Sequence, residues 1–137
     1  STLNLTEAAH IFEESLLDAQ STDWSYGQFL NHILKYELQR REEKQRTKRM
    51  KWASFPFIKT LDEFRLEEQQ SLSKRHMEQL REMLWLEHTY NLILLGPPGV
   101  GKTHLSVGLG IEALERGHKV SFVAMDTLVH LLKTQEI

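Results

Sequence analysis

The stretch of this chain whose residue types and spacing can do chemistry is Gly96-Pro97-Pro98-Gly99-Val100-Gly101-Lys102-Thr103. It satisfies G-x-x-x-x-G-K-[ST], the pattern of a phosphate-binding P-loop. The glycines let the backbone curl until successive N–H groups point inward at phosphate oxygens. A helix that begins where the loop ends adds its N-terminal dipole and unpaired donors. Lys102 supplies a mobile positive charge for β and γ phosphates, and the Thr103 hydroxyl suits a Mg²⁺ ligand. His104 follows in the first helical turn, near phosphate, in a role no mechanism requires. A chance match in a glycine-rich turn is the plain alternative. The apolar run before the loop and the helical pattern after it supply the context that favours nucleotide binding.

Turnover of a bound nucleotide needs an acid on a later strand to complete the metal site. Asp126 ends a strand-like run and imitates such an acid, but it also opens a helical pattern and reads more simply as a cap. No arginine finger or sensor residue can be assigned. The pattern supports nucleotide binding better than hydrolysis, and no residue is assigned a catalytic role.

The second chemical signal is a block of cations. Residues 1–34 hold five acids and no Lys or Arg, whereas residues 35–51 hold eight Lys/Arg against three acids. The net charge of −2 conceals this asymmetry. On a helix, Arg40, Lys51, Lys44, Lys48 and Arg41 fall at roughly 0, 20, 40, 80 and 100°, a stripe about 16 Å long. A duplex presents closely spaced phosphates over that length, and basic side chains displace their counterions. These five residues are the candidate DNA contacts, positioning rather than reading bases. A solvated helix face or a nuclear-type address is the ordinary alternative. Trp52, Phe55 and Phe57 could stack on bases, although packing is their commoner use.

Composition bounds the remaining classes. The chain has 137 residues, 40% hydrophobic and 26% charged, which fits a globular protein and argues against wholesale disorder. No apolar run approaches the roughly 18 residues of a membrane span. With no cysteine, disulfides and thiolate chemistry are excluded, and a reducing, cytoplasmic setting is expected. There is no secretory leader pattern, and the start at Ser1 suits processing or trimming. The seven histidines show no metal-ligand spacing.

The elements that must position these groups follow from periodicity. Leu5, Ala9, Phe12, Leu16 and Ala19 mark one stripe of a first helix. Ser25 with Gln28 predicts a capping box, and the helix it opens runs through the basic block toward Ala53. Phe55-Pro56-Phe57 ends that helix. Residues 54–70 read as an extended connector. A helix starts at Ser71 or Ser73, with Met77, Leu80 and Leu84 on one face, and Met77, Met83 and Trp85 read as core. Asn91 to Leu95 reads as a buried strand and Val120 to Met125 as a second. Between them a helix runs from Lys102 to a stop at Gly117, with Gly108 and Gly110 placed for close helix–sheet packing. A last helix runs from Thr127 to about Gln135, capped by Asp126. The expected fold is α/β: a helical DNA-binding domain over 1–55, then a connector and the first part of a parallel-sheet P-loop domain over 56–137.

RTKRMKWASFPFIKTLDEF, a helix, and then NLILLGPPGVGKTHL together resemble the IstB-like transposition helper ATPases, AAA+ proteins related to the DnaC-type helicase loaders. The resemblance covers essentially the whole chain. GPPGVGKT is shared by many AAA+ proteins, so the FPFIKTLDEF connector at this distance before the loop is the more discriminating part. The resemblance implies a helical N-terminal domain joined to an AAA+ domain. It implies binding of ATP and Mg²⁺, oligomeric assembly on double-stranded DNA, and stimulation of a partner transposase, with no membrane role. It carries over to Gly96, Gly99, Gly101, Lys102 and Thr103 at the loop and to the basic residues of 40–51 for DNA. The family continues beyond the length of this chain with Walker B acids, sensors and an arginine finger, so a fragment is expected here. A helicase loader of the DnaC type and a non-catalytic DNA-binding fragment are the competing expectations. The basic stripe argues against the loader, because a helicase-gripping module need not be positive toward a duplex.

Overall fold

The structure is a computed structural model that describes residues 2–135. Its contacts divide the chain into two units, Ser1–Lys48 and Arg49–Ile137.

In the first unit, helix α1 (Thr6–Ser21) is followed by the long helix α2 (Tyr26–Ala53), whose residues up to Lys48 belong here. Asp23, with φ of 53°, turns the chain between them. The capping box forms as expected: the Ser25 N–H donates to Gln28 Oε1 at 2.8 Å and the Gln28 N–H to Ser25 Oγ at 3.2 Å. The buried line on α1 passes through Ala8 and Ser15, one residue off the expected stripe, and Phe12 stays half exposed. A helix that meets one neighbour buries only a narrow line, and small side chains at its centre let the helices approach. Phe12 meets Phe29 edge-on at 6.0 Å, and Ile33 and Glu37 are the buried residues of α2 in this unit.

The second unit is built around helix α5 (Lys102–Glu115), which buries Leu105, Val107, Gly108, Leu109, Ile111, Ala113 and Leu114. A helix apolar on most sides must be covered on most sides. Its cover comes from the connector and from helices α3 (Lys74–Arg81) and α4 (Leu84–Glu87). The connector is not simply extended. It makes two 3₁₀ turns, Leu61–Glu63 and Leu66–Glu68, and Leu61 enters the core with Met77, Met83, Leu105, Leu109 and Ala113. Ser73 caps α3, its Oγ accepting the His76 N–H at 3.2 Å. Met83, at φ 62°, breaks the single helix expected over this region, so Leu84 is half exposed while Met83 itself is almost wholly buried. Arg81 ties three elements: its guanidinium reaches Asp62 at 2.8 Å and Glu112 at 3.1 Å. Gly117, at φ 94°, ends α5, and the His118 N–H donates to the Ala113 carbonyl at 3.1 Å, a Schellman closure. Helix α6 (Met125–Thr134) is the last element.

The expected parallel sheet is absent, and the α/β reading is corrected: among the described residues there is no strand, and the elements are helical. The runs around 91–95 and 120–124 exchange no backbone hydrogen bond, and the Phe122 N–H donates instead to the Ala53 carbonyl at 2.8 Å. A strand exists only through a paired neighbour, and a parallel one needs cover on both faces. Ile93 and Leu95 are 76% and 89% exposed, so that cover is missing. The buried strand expected at Asn91 to Leu95 is therefore neither a strand nor buried. Gly108 and Gly110 do serve close approach, but to the Leu61 turn and to the Phe55 ring rather than to a sheet.

Candidate functional site

Residues 96–101 follow the irregular run at 91–95 and curl into the N-terminus of α5, with Gly101 as the helix N-cap. Two positions on this path demand glycine. Gly99 has φ of 83° and Gly101 φ of 94°, a region that L side chains enter at a cost. At Gly101 a Cβ would also stand 2.9 Å from the Phe64 ring. The curl is therefore written into the glycine spacing.

Lys102 folds back over the curl. Its Nζ donates to the carbonyls of Gly96 and Pro97, both at 2.7 Å, which places the ammonium at the mouth of the loop. Thr103 is exposed one residue later, in the first turn of α5. Lys102 and Thr103 border a cleft of about 780 Å³ whose apolar walls include Trp85, Leu94, Leu109 and Val120. Pro97, Pro98 and Gly99 are exposed, and Val100 is half-buried.

The connector holds the loop from its other side, through residues the sequence did not single out. The Gln69 side-chain amide donates from Nε2 to the Val100 carbonyl at 2.9 Å. His104 Nε2 lies 2.9 Å from the Thr60 carbonyl, and its ring meets Phe64 edge-on at 5.2 Å. His104 thus couples α5 to the connector. Glu63 accepts the Thr60 N–H at 2.7 Å. That bond, the Thr60 hydroxyl, and then the charges of His104 and Lys59 hold its carboxyl below the usual range. A second cleft, about 460 Å³, lies here between Phe64, Gln69, Gly99 and His104, with Lys59 and Arg65 at its rim. The usable signal in the sequence is FPFIKTLDEF standing shortly before the loop; the contacts themselves leave no periodic trace.

Asp126 does not occupy the expected cap. Ala124 is the N-cap of α6, and Asp126 lies within the first turn, where Oδ1 accepts the Thr127 N–H at 2.7 Å. That is a favourable place for an acid at a helix N-terminus.

The five candidate DNA contacts divide. Arg41 Nε donates to Glu37 at 2.8 Å, and its NH2 group donates to the Asn4 carbonyl at 2.6 Å. Arg40 pairs with Glu43 at 2.7 Å and with Glu7 at 3.7 Å, and Lys44 donates to the same Glu7. The upstream half of the stripe is therefore the continuation of the face that α2 turns toward α1. The Lys44 hydrogen bond, aided by the charges of Lys44, Arg40 and His10, holds the Glu7 carboxyl low against a smaller opposing effect of burial. Lys48 and Lys51 are exposed and make no ion pair among the described residues. Trp52, next along, is 74% exposed, whereas Phe55 packs against Phe122 at 6.4 Å. Among the described residues no helix is long and apolar enough to cross a membrane.

Comparison with known proteins bears on the loop. The family model described as "IstB-like ATP binding protein" matches residues 1–137. The chain is 35% identical over 132 residues to the "Insertion sequence IS21 putative ATP-binding protein" of Pseudomonas aeruginosa, covering 96% of this chain and 50% of that protein. A like-named protein of an IS21-like element in Bacteroides fragilis (strain YCH46) is 36% identical over 135 residues, 98% of this chain and 68% of its own length. The IS5376 counterpart of Geobacillus stearothermophilus is 33% identical over 115 residues, 84% of this chain and 46% of its own. The chain thus spans about half to two thirds of the length of these curated relatives.

Proposed function

The chain belongs to the IstB-like ATP binding protein family, and on that premise we propose that it binds ATP with Mg²⁺ at residues 96–103 and double-stranded DNA through the basic part of α2. The observation that carries the nucleotide reading is the curl between Gly96 and Lys102, with the Lys102 ammonium 2.7 Å from two loop carbonyls. An ammonium held by neutral carbonyls keeps its charge available to a phosphate, which is the stronger acceptor. Gly99 and Gly101 open the loop backbone to an anion, and the start of α5 adds unpaired donors. Lys102 would hold phosphate oxygens and Thr103 the Mg²⁺. Bound ATP supplies a polyanionic tail, and Mg²⁺ offsets part of its charge. The cleft beside Phe64, Gln69 and His104 has room for the rest of the nucleotide.

The relatives are named for ATP binding and for insertion sequences. That supports a role in transposition, in which the ATP-bound chain assembles with further copies on DNA and assists a partner transposase. DNA contact by Lys48 and Lys51 rests on their exposure and charge. Titration calorimetry with Mg-ATP tests the first half: binding heat for the folded chain, and none for an equally folded Lys102→Ala variant. Equal heats for both would refute the nucleotide reading.

A further inference from the structure

One carboxylate in the first unit sits against two of the candidate DNA-contacting cations. Glu7, in the first turn of α1, accepts a hydrogen bond from Lys44 and lies 3.7 Å from Arg40 Nε. Its side chain is only 13% exposed, whereas those of Arg40 and Lys44 are 47% and 67% exposed. Two cations four residues apart on one helix face converge on a single acid brought from 33 and 37 positions away. Carboxylate and phosphate oxygens compete for the same donors with similar geometry. We propose that Glu7 is an intramolecular stand-in for phosphate: α1 masks Lys44, and duplex DNA gains that contact only by displacing Glu7, whereas Arg40 also keeps its closer pair with Glu43 at 2.7 Å. Arg41 is not part of the mask. Its bonds to Glu37 and to the Asn4 carbonyl make it a positioning residue that anchors the start of α1.

The charge layout fits this arrangement. The acidic first 34 residues and the basic 35–51 segment are equal and opposite, and the structure joins them through Glu7. A tethered acid competes at high effective concentration, so the mask weakens DNA binding without abolishing it.

This inference rests on the DNA-binding reading above, and the test separates the two. Binding of a 30-base-pair duplex is followed by fluorescence anisotropy across a salt series for the unaltered chain, Glu7→Gln, Glu7→Asp and Glu42→Gln. Glu42 lies on the same helix and makes no ion pair among the described residues, so it reports the effect of removing a charge alone. Because duplex DNA displaces Glu7 in the unaltered chain too, the slope of log K against log salt stays the same, while removing the competing acid raises affinity about tenfold near 0.1 M salt. Glu7→Gln shows this gain, and Glu42→Gln does not. Glu7→Asp keeps the charge at the start of α1 but cannot span both cations, so it shows a smaller change in the same direction and guards against a misfolded Gln variant. Equal affinities for Glu7→Gln and the unaltered chain, or an equal gain in Glu42→Gln, overturn the mask alone. No duplex binding by any of the four, in folded material, overturns the DNA reading and the mask together.

Discussion

The Glu37 carboxylate accepts the backbone N–H of Ala8 at 2.8 Å, from 29 residues further along the chain. Helix α1 has Leu5 at its N-cap, a residue with no side-chain oxygen, and no side-chain capping bond. The orphan donors of its first turn are instead served by an acid that α2 carries into the interface, only 3% exposed. Arg41 binds the other oxygen of the same carboxylate at 2.8 Å. A cap, an ion pair and the packing of two helices are therefore one feature.

That feature makes the first unit sensitive to acid. The Glu37 carboxyl is held below its ordinary value of 4.5, first by the Ala8 N–H and then by Arg41, against an opposing effect of burial. Glu7 is held low in the same sense by Lys44 and Arg40. A depressed folded-state value means that the unfolded chain binds protons more readily. The stability these groups add is fully present above 4.5 and is lost as pH falls through their folded values. Helicity followed by circular dichroism should hold from pH 7 to 5 and then fall. Glu37→Gln should melt several degrees lower at pH 7 and lose most of the acid dependence contributed by this residue.

Lys102→Ala separates binding from folding. Among the described residues the ammonium bonds to the carbonyls of its own exposed loop and to no core group, so its removal leaves the core around Leu105 and Leu109 intact. Melting temperature should move little, while affinity for Mg-ATP should fall about 100-fold or more, the loss expected for two to three charge-assisted contacts. A variant that binds normally, or one that fails to fold, contradicts this assignment.

Gly108 tests the joint between connector and helix. A Cβ there would stand 2.5 Å from Leu61 Cδ2 and 3.2 Å from the Leu61 backbone nitrogen. Leu61 is 6% exposed and belongs to the core, so it has little room to yield. Overpacking of about 1–3 kcal/mol outweighs the gain of up to about 1 kcal/mol in helix propensity for Ala over Gly. Gly108→Ala should be destabilised by about 1–2 kcal/mol in urea titration. Because the same connector carries Phe64 and Gln69 to the loop, the variant should also bind nucleotide less tightly.

The sequence shows what is local. The Ser25–Gln28 box, the stop at Gly117 and the glycine pattern of the loop each involve residues within a few positions, and each is present. What needs distant partners was not legible. The run at 91–95 is apolar enough for a buried strand, yet burial requires neighbours that this pattern does not encode. The Gln69 bond to Val100 spans 31 residues and involves a type with no periodic signature. On α2, helical spacing alone places Arg40, Arg41 and Lys44 on one face. That the same face receives Glu7 and Asn4 depends on how α1 folds back, which charge counting cannot supply.

The division of the basic stripe leads to opposite expectations for residues of the same charge. Lys48 and Lys51 are exposed and carry no ion pair among the described residues, so replacing either costs the fold little. If they contact phosphates, each Ala substitution lowers duplex affinity uniformly across sequences and reduces the salt slope by about 1. Arg41 is bound to Glu37 and to the Asn4 carbonyl, so Arg41→Ala leaves a 3%-exposed carboxylate short of its cation. That variant should lose thermal stability while its salt slope stays that of the unaltered chain. Anisotropy titrations at several salt concentrations, paired with melting curves, check the contrast. A steep loss of slope for Arg41→Ala with unchanged melting would place Arg41 on the DNA and remove it from the α1 anchor.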